Sequence, residues 1–129
     1  MSARLTLHLL EERLAICRLP PSAAIPPWAA GGAFLSITRT ADELSVVCAE
    51  SAAPGDARCE RGWRALKVEG PLDFALTGIL ASIAVPLADA RVGIFAVSTF
   101  DTDYVLVKED SLAEALRALT AAGHTVYRP

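Results

Sequence analysis

The apolar positions of this chain follow two different periods. Near the N-terminus Leu5, Leu7 and Leu9 alternate with polar residues, the period-two signature of a half-buried strand. Glu11-Glu12 reads as a solvated turn, and Arg13 to Leu19 as a second strand that Pro20-Pro21 must stop, because proline cannot donate to a ladder. The two strands are expected to pair as a hairpin. Pro20, Pro21, Pro26 and Pro27 bracket Ser22-Ala-Ala-Ile, room for about one helical turn with proline at its start, a plain loop being the alternative. Phe34 to Thr38 and Leu44 to Glu50 are β-rich runs around Thr40-Ala-Asp-Glu, which predicts another hairpin.

The polar stretch Ser51 to Gly62, with Pro54-Gly55-Asp56 inside it, marks a boundary between residues 1–62 and residues 63–129. From Trp63 the period is again two, with Leu66 and Val68 between Ala65, Lys67 and Glu69, until Gly70-Pro71 ends the strand. It then lengthens to 3.6: Leu76, Ile79, Leu80 and Ile83 form a helical stripe, with Asp73 as N-cap and Pro86 as the stop. Thr77, Gly78 and Ala81 make a small-residue face, and mid-helix Gly78 asks for a packing or binding reason. Val92 to Ser98, apolar on both faces, and Tyr104 to Lys108 read as a hairpin around Thr99-Phe-Asp-Thr. A second helix follows, with Ser111 and Glu114 as a capping box, Leu112, Ala115, Leu116 and Leu119 as its stripe, and Gly123 as its left-handed stop. His124 to Arg128 closes with a strand. The order from Trp63 is β-α-β-β-α-β, the split βαβ of a ferredoxin-like sandwich, with Ile79 and Leu116 in its core. The first half supplies strands and one short helical segment, an incomplete copy of that plan.

Composition narrows the function. A net charge of −3 without any Lys/Arg cluster gives no field for phosphates, which argues against nucleic acid. The longest apolar stretch, Phe74 to Val85, is shorter than the roughly 20 residues a bilayer span needs, so no membrane role is expected. Cys17, Cys48 and Cys59 are odd in number and outside any C-x-x-C pair, so neither a disulfide framework nor a zinc site is expected, and a reducing, cytoplasmic setting fits. The N-terminus reads as mature structure without an export signal. His8 and His124 lie in opposite terminal strands, and no Ser-His-Asp or Cys-His grouping emerges. No cofactor motif appears either: Gly31-Gly32 is a turn signal without a following Lys-Ser/Thr. Trp28 and Trp63 are expected to pack in cores. An enzyme is therefore not expected.

Asp101 and Asp103 stand at the tip of otherwise apolar strands, beside a helix start that offers backbone N–H groups. They could grip a small zwitterion, or simply form the turn, as aspartate often does. With Glu69-Gly-Pro-Leu-Asp-Phe-Ala-Leu-Thr-Gly-Ile-Leu-Ala and Ile94-Phe-Ala-Val-Ser-Thr-Phe-Asp-Thr-Asp-Tyr-Val-Leu-Val, the chain resembles the ACT domains, small regulatory modules that bind amino acids. Among them it is most similar to compact bacterial tandem-ACT proteins related to the animal cytosolic arginine sensors. The resemblance implies an α+β tandem ACT fold, its antiparallel sheet carrying the helices on one face, residues 1–62 as an incomplete unit and 63–129 as a complete one.

It further implies a ligand between ACT units. Asp103, with Asp101 beside it, would take a cationic end, and backbone at Thr99, Phe100 and Thr102 would meet an amino group. Leu72 and Asp73 would lie at the helix start beside Thr77 and Gly78. Phe95 and Ala96 of a facing unit would close the site. Leu72 departs from the glycine that most ACT modules place after the turn proline. The animal sensors hold four ACT units, so a chain of this size implies a homodimer. The competing reading is an interaction module that dimerises without a ligand.

Overall fold

The structure, a computed structural model, describes residues 4–73 and 75–129. Phe74, the first residue of the long apolar stretch, lies outside them. Among the described residues, seven strands and two α-helices follow the chain as β1 (Thr6–Leu19), β2 (Ser36–Arg39), β3 (Leu44–Ala49), β4 (Cys59–Val68), α1 (Ile79–Asp89), β5 (Ile94–Ser98), β6 (Asp103–Lys108), α2 (Leu112–Ala121) and β7 (Thr125–Tyr127). They divide into two compact units, Met1–Glu11 with Arg64–Pro129, and Glu12–Trp63. The first residues of the chain thus group with its C-terminal half.

The expected N-terminal hairpin does not form, and β1 is one continuous strand of 14 residues. Glu11-Glu12 carries none of the glycine, proline or asparagine that reverses a chain, so the strand runs through it. Its neighbour changes instead. Thr6–His8 pair in parallel with β7, and Leu14–Leu19 pair antiparallel with β3.

In the Glu12–Trp63 unit the strand order is β2, β3, β1, β4. The β2–β3 hairpin is as expected, its turn closed by the Thr40 N–H on Glu43 O at 2.9 Å. A 3₁₀ turn forms at Pro27–Ala30, behind proline as predicted but later than Ser22–Ile25. Ala15, Cys17, Ala29, Leu44, Val46 and Cys48 make the core, with Trp28 packed against it. Cys17 and Cys59 are joined by a disulfide, which corrects the expectation of unpaired thiols. Sequence spacing hid the pairing because antiparallel β1 and β4 bring residues 42 apart face to face. Cys48 stays free and buried, and desolvation pushes its thiol up, Arg61 pulling the other way and Glu12 adding to the rise.

The other unit has the predicted β-α-β-β-α-β order from β4 to β7, with strands ordered β7, β1, β4, β6, β5. Here too a neighbour differs from expectation: β7 lies in parallel beside β1 instead of joining an all-antiparallel four-stranded sheet. Both helices cover one face. Leu7, Leu9, Leu66, Val68, Val105 and Val107 from the strands meet Ile83, Leu87, Leu112, Ala115 and Leu119 from the helices in a single core. Ile79 and Leu116 pack against that core half-buried.

Helix α1 starts at Ile79, later than the apolar stripe predicted, because Gly78 sits at φ +77° and breaks the helical path before it. A Cβ at Gly78 would meet no atom within 4 Å, so the glycine serves the backbone and not a close approach. Leu76 is consequently exposed. Both helices end in paired Schellman bonds: Val92 N–H to Leu87 O with Arg91 to Ala88 O, and His124 N–H to Leu119 O with Gly123 to Thr120 O. In α1 the left-handed position is held by Arg91 at φ 60° where glycine is usual. Ser111 makes no capping-box bond at α2, and Glu114 pairs with Arg117 instead.

Pro86 does not stop α1; it lies inside it. A proline there has no N–H for the carbonyl four residues earlier, that of Ser82. The buried His124 supplies the missing donor, its Nε2 lying 2.8 Å from Ser82 O, while its Nδ1 accepts the Leu5 N–H at 3.0 Å. Those two bonds fix the neutral tautomer with the proton on Nε2. Replacing His124 by alanine leaves two backbone groups unpaired, at about 1–3 kcal/mol each. Pro86→Ala restores an N–H, so it should stabilise the His124→Ala protein by about 1 kcal/mol more than it stabilises wild type. Urea denaturation of the four proteins measures that coupling, and strict additivity would refute the compensation.

Candidate functional site

At one end of the discontinuous unit, the chain leaving β4 passes beneath the β5–β6 hairpin. Gly70 packs so close to it that a Cβ would lie 3.1 Å from both Asp101 O and Thr102 Cβ, and the Gly70–Pro71 peptide is cis. Two hydrogen bonds strap the segments together. The Leu72 N–H donates to Asp101 O at 2.7 Å, and the buried Thr102 hydroxyl donates to Val68 O at 2.6 Å. The hairpin itself is closed by Thr99, whose N–H and hydroxyl reach Thr102 O at 2.9 and 3.0 Å. Thr99 thus closes the turn through both its backbone and its side chain.

Between this hairpin and the segment leading into α1 lies an open cavity of about 210 Å³. Leu72, Asp73, Thr99, Phe100, Asp101, Thr102 and Asp103, all singled out in the sequence, line it. Leu76, Ile79 and Ser98 line it as well and were missed. Helical periodicity had assigned the first two to a sheet-facing stripe; Ile79 does pack against the core while also bordering the cavity, whereas the later helix start, signalled by Gly78, leaves Leu76 exposed at the cavity. Ser98 begins the hairpin run Ser98-Thr-Phe-Asp-Thr-Asp and could have been read from it. Thr77, Gly78, Phe95 and Ala96 are not among the lining residues: Gly78 caps α1, and Phe95 and Ala96 lie in β5 opposite Leu106 and Val105.

The lining is acidic and apolar. Asp73, Asp101 and Asp103 are among the lining residues, and none of the described lining residues is basic. Asp73 is partly committed, since its Oδ1 accepts the Ala75 N–H at 2.8 Å and its carbonyl the Leu76 N–H at 3.0 Å. The expected donor at Leu72 is spent on Asp101 O, so the strand–helix turn does not present that N–H to the cavity. Phe100 stands at the rim, 79 % exposed. Among the described residues no cluster of His, Cys, Asp and Glu could hold a metal ion, and no helix is long and apolar enough to cross a membrane.

A β-α-β-β-α-β unit with both helices on one face of its sheet is a ferredoxin-like domain, and comparison with known proteins gives its family. The ACT-domain family model matches residues 58–121, and a model for an N-terminal domain family matches residues 12–56. The chain belongs to the ACT-domain family. A protein of known structure from Agrobacterium tumefaciens is 44% identical, with a TM-score of 0.94 over 99% of this chain and 96% of that one. The human cytosolic arginine sensor for mTORC1 subunit 1 is 41% identical over 58 residues, 44% of this chain. That match spans only 18% of the sensor's length. The regulatory subunit of aspartate kinase from Thermus thermophilus, 13% identical with a TM-score of 0.64 over 93% of this chain and 99% of its own, shares the fold alone.

The Thr102–Val68 bond can be tested directly. Thr102→Val keeps the shape but strands a buried carbonyl, at about 1–3 kcal/mol. Amide exchange at Leu72 and Thr99 should accelerate in Thr102→Val and much less in Thr102→Ser, which retains the hydroxyl. Equal exchange in both variants would show that the strap does not hold the hairpin.

Proposed function

We propose that this ACT-domain protein is a non-enzymatic regulatory protein that binds a small amino acid in the cavity between the 98–103 hairpin and the start of α1. The observation that carries the reading is the convergence there of three carboxylates and no base on an apolar wall, in a unit of this family. Asp103 and Asp101 take the cationic or hydrogen-bond-donating side chain of the ligand. Backbone of Thr99, Phe100 and Thr102 meets its amino group, and Leu72 and Asp73 form the opposite wall, with Thr77 and Gly78 behind them at the helix start. The kinship with a cytosolic arginine sensor supports both the ligand class and a cytoplasmic setting.

Ligand binding is reported through a homodimer. Strand β5 ends the strand order of its unit, and Ile94-Phe-Ala-Val-Ser carries no charge or proline to blunt its outer edge. Phe95 and Ala96 of a second copy, brought up about a two-fold axis, close the cavity. Sedimentation at micromolar concentration should give twice 13.6 kDa. A species of 13.6 kDa would remove the shared site.

A thermal-shift screen against the twenty amino acids tests the ligand, since binding to the native state raises the midpoint by mass action. At least one amino acid with a cationic or donor side chain should shift it. Calorimetry should then show Asp103→Ala weakening that ligand more than tenfold, loss of one partner of a buried charged contact costing about 2–5 kcal/mol before solvent reduces it, while Glu11→Ala leaves it unchanged. Wild-type affinity in Asp103→Ala, or binding of aspartate and glutamate alone, would show the site to be misplaced. No shift with any amino acid would leave the ligand-free interaction module.

A further inference from the structure

We propose that Cys17 and Cys59 form a reversible redox site: a small disulfide such as oxidised glutathione closes the pair, a small thiol opens it through Cys59, and the exchange locks or loosens the Glu12–Trp63 unit. Three observations within that unit converge on this. The first is where the bond lies. Its Cα atoms are 4.0 Å apart on neighbouring strands β1 and β4, and beside it the Arg18 N–H donates to Arg58 O at 2.9 Å. Strand pairing keeps the two side chains facing each other after the bond opens, so the dithiol stays poised to close again.

The second is the contrast among the three cysteines. Cys17 is 2 % exposed and Cys48 fully buried, whereas Cys59 is half-buried, so a reagent from solvent meets Cys59 first. Cys48 pairs with Ala15 and Cys17 with Val46, which sets the two cysteines on one face of the sheet but on a diagonal. Such a diagonal spans about 7–8 Å, beyond what a disulfide bridges without backbone movement. Desolvation also pushes the Cys48 thiol up, away from the reactive thiolate. Cys48 is thus a bystander, and the exchange is confined to one pair.

The third is what the bond closes. Cys17 stands near the first residue of the unit and Cys59 near its last, 42 residues apart. The core between them is Ala15, Cys17, Ala29, Leu44, Val46 and Cys48, mostly small side chains, and the unit contains no α-helix. A unit so small, with so little apolar volume to hide, depends on a cross-link. One that closes a long loop restricts the opened chain most. In a reducing cytoplasm thiols are the resting state, and a disulfide there is transient or redox-sensing.

Opening proceeds by thiol–disulfide exchange. The thiolate of the small thiol attacks Cys59 Sγ, the Cys17–Cys59 bond breaks, and Cys17 leaves as a thiolate that takes a proton. A second thiolate attacks the small-molecule sulfur of the mixed disulfide and releases Cys59, which is protonated in turn. Two small thiols become one small disulfide, and two electrons and two protons pass to the protein. Closing is the reverse.

The test is to equilibrate the full chain in glutathione buffers from fully reduced to fully oxidised, trap thiols by alkylation, and read them by mass spectrometry while following amide exchange in β3. The Cys17–Cys59 bond should open and close reversibly across these buffers, and β3 amides should exchange at least about tenfold faster in the reduced protein. Oxidised glutathione should modify Cys59 in Cys17→Ser faster than it modifies Cys17 in Cys59→Ser. The wild-type measurements stand even where a serine variant does not fold. A bond that stays closed in millimolar reduced glutathione, that never closes in oxidised glutathione, or that recruits Cys48 would overturn the redox site. Equal β3 exchange in both states would overturn the coupling of the bond to the unit.

Discussion

The carbonyl of Ser82 is the point on which the discontinuous unit turns. Pro86 strips it of its helical partner, yet it lies where no water is needed to replace that partner, because His124 arrives from beyond α2 with a ring N–H. The same ring takes the N–H of Leu5 at the head of β1. One imidazole thus ties helix α1, the end of α2 and the first strand, elements distant in sequence. A core of leucine and valine fixes how much apolar surface is hidden but is tolerant of sliding; a donor and an acceptor set back to back are not. The ring specifies the register in which the helices sit on the sheet.

The cavity depends on that register at one remove. Its far wall is the beginning of α1, and its near wall is a hairpin held to the end of β4 by hydroxyl and amide bonds. The bonds that anchor the hairpin hold the Leu72 N–H and the Thr102 hydroxyl within the protein.

Much of this was legible in the chain. The shift from period two to period 3.6 after Gly70 located the helices, Thr40 located a turn, and the Ser98–Asp103 run pointed to the hairpin that borders the cavity. The failures have physical causes. Glu11-Glu12 was read as a turn because it interrupts an apolar alternation, but strand continuity is decided by pairing partners, and here β7 and β3 take successive halves of β1. Pro86 was read as a terminator because its local cost is real; the group that compensates lies 38 residues on and leaves no local mark. The Cys17–Cys59 bond is likewise a fact of strand register and not of spacing. Leu76 and Ile79 obey helical periodicity, and only the left-handed Gly78 reveals that the helix begins at Ile79 and leaves Leu76 outside it.

The pairing of Thr6–His8 with Thr125–Tyr127 makes the two ends of the chain neighbours within one unit. During synthesis the Glu12–Trp63 unit, contiguous in sequence, is complete long before the last strand leaves the ribosome. The other unit must wait for β7, whose partner β1 is made more than a hundred residues earlier. Such non-local closure slows folding and prolongs exposure of an unpaired strand edge. The cavity belongs to that late unit, so its walls are in place only once β7 has paired with β1, whereas the Glu12–Trp63 unit needs no residue beyond Trp63.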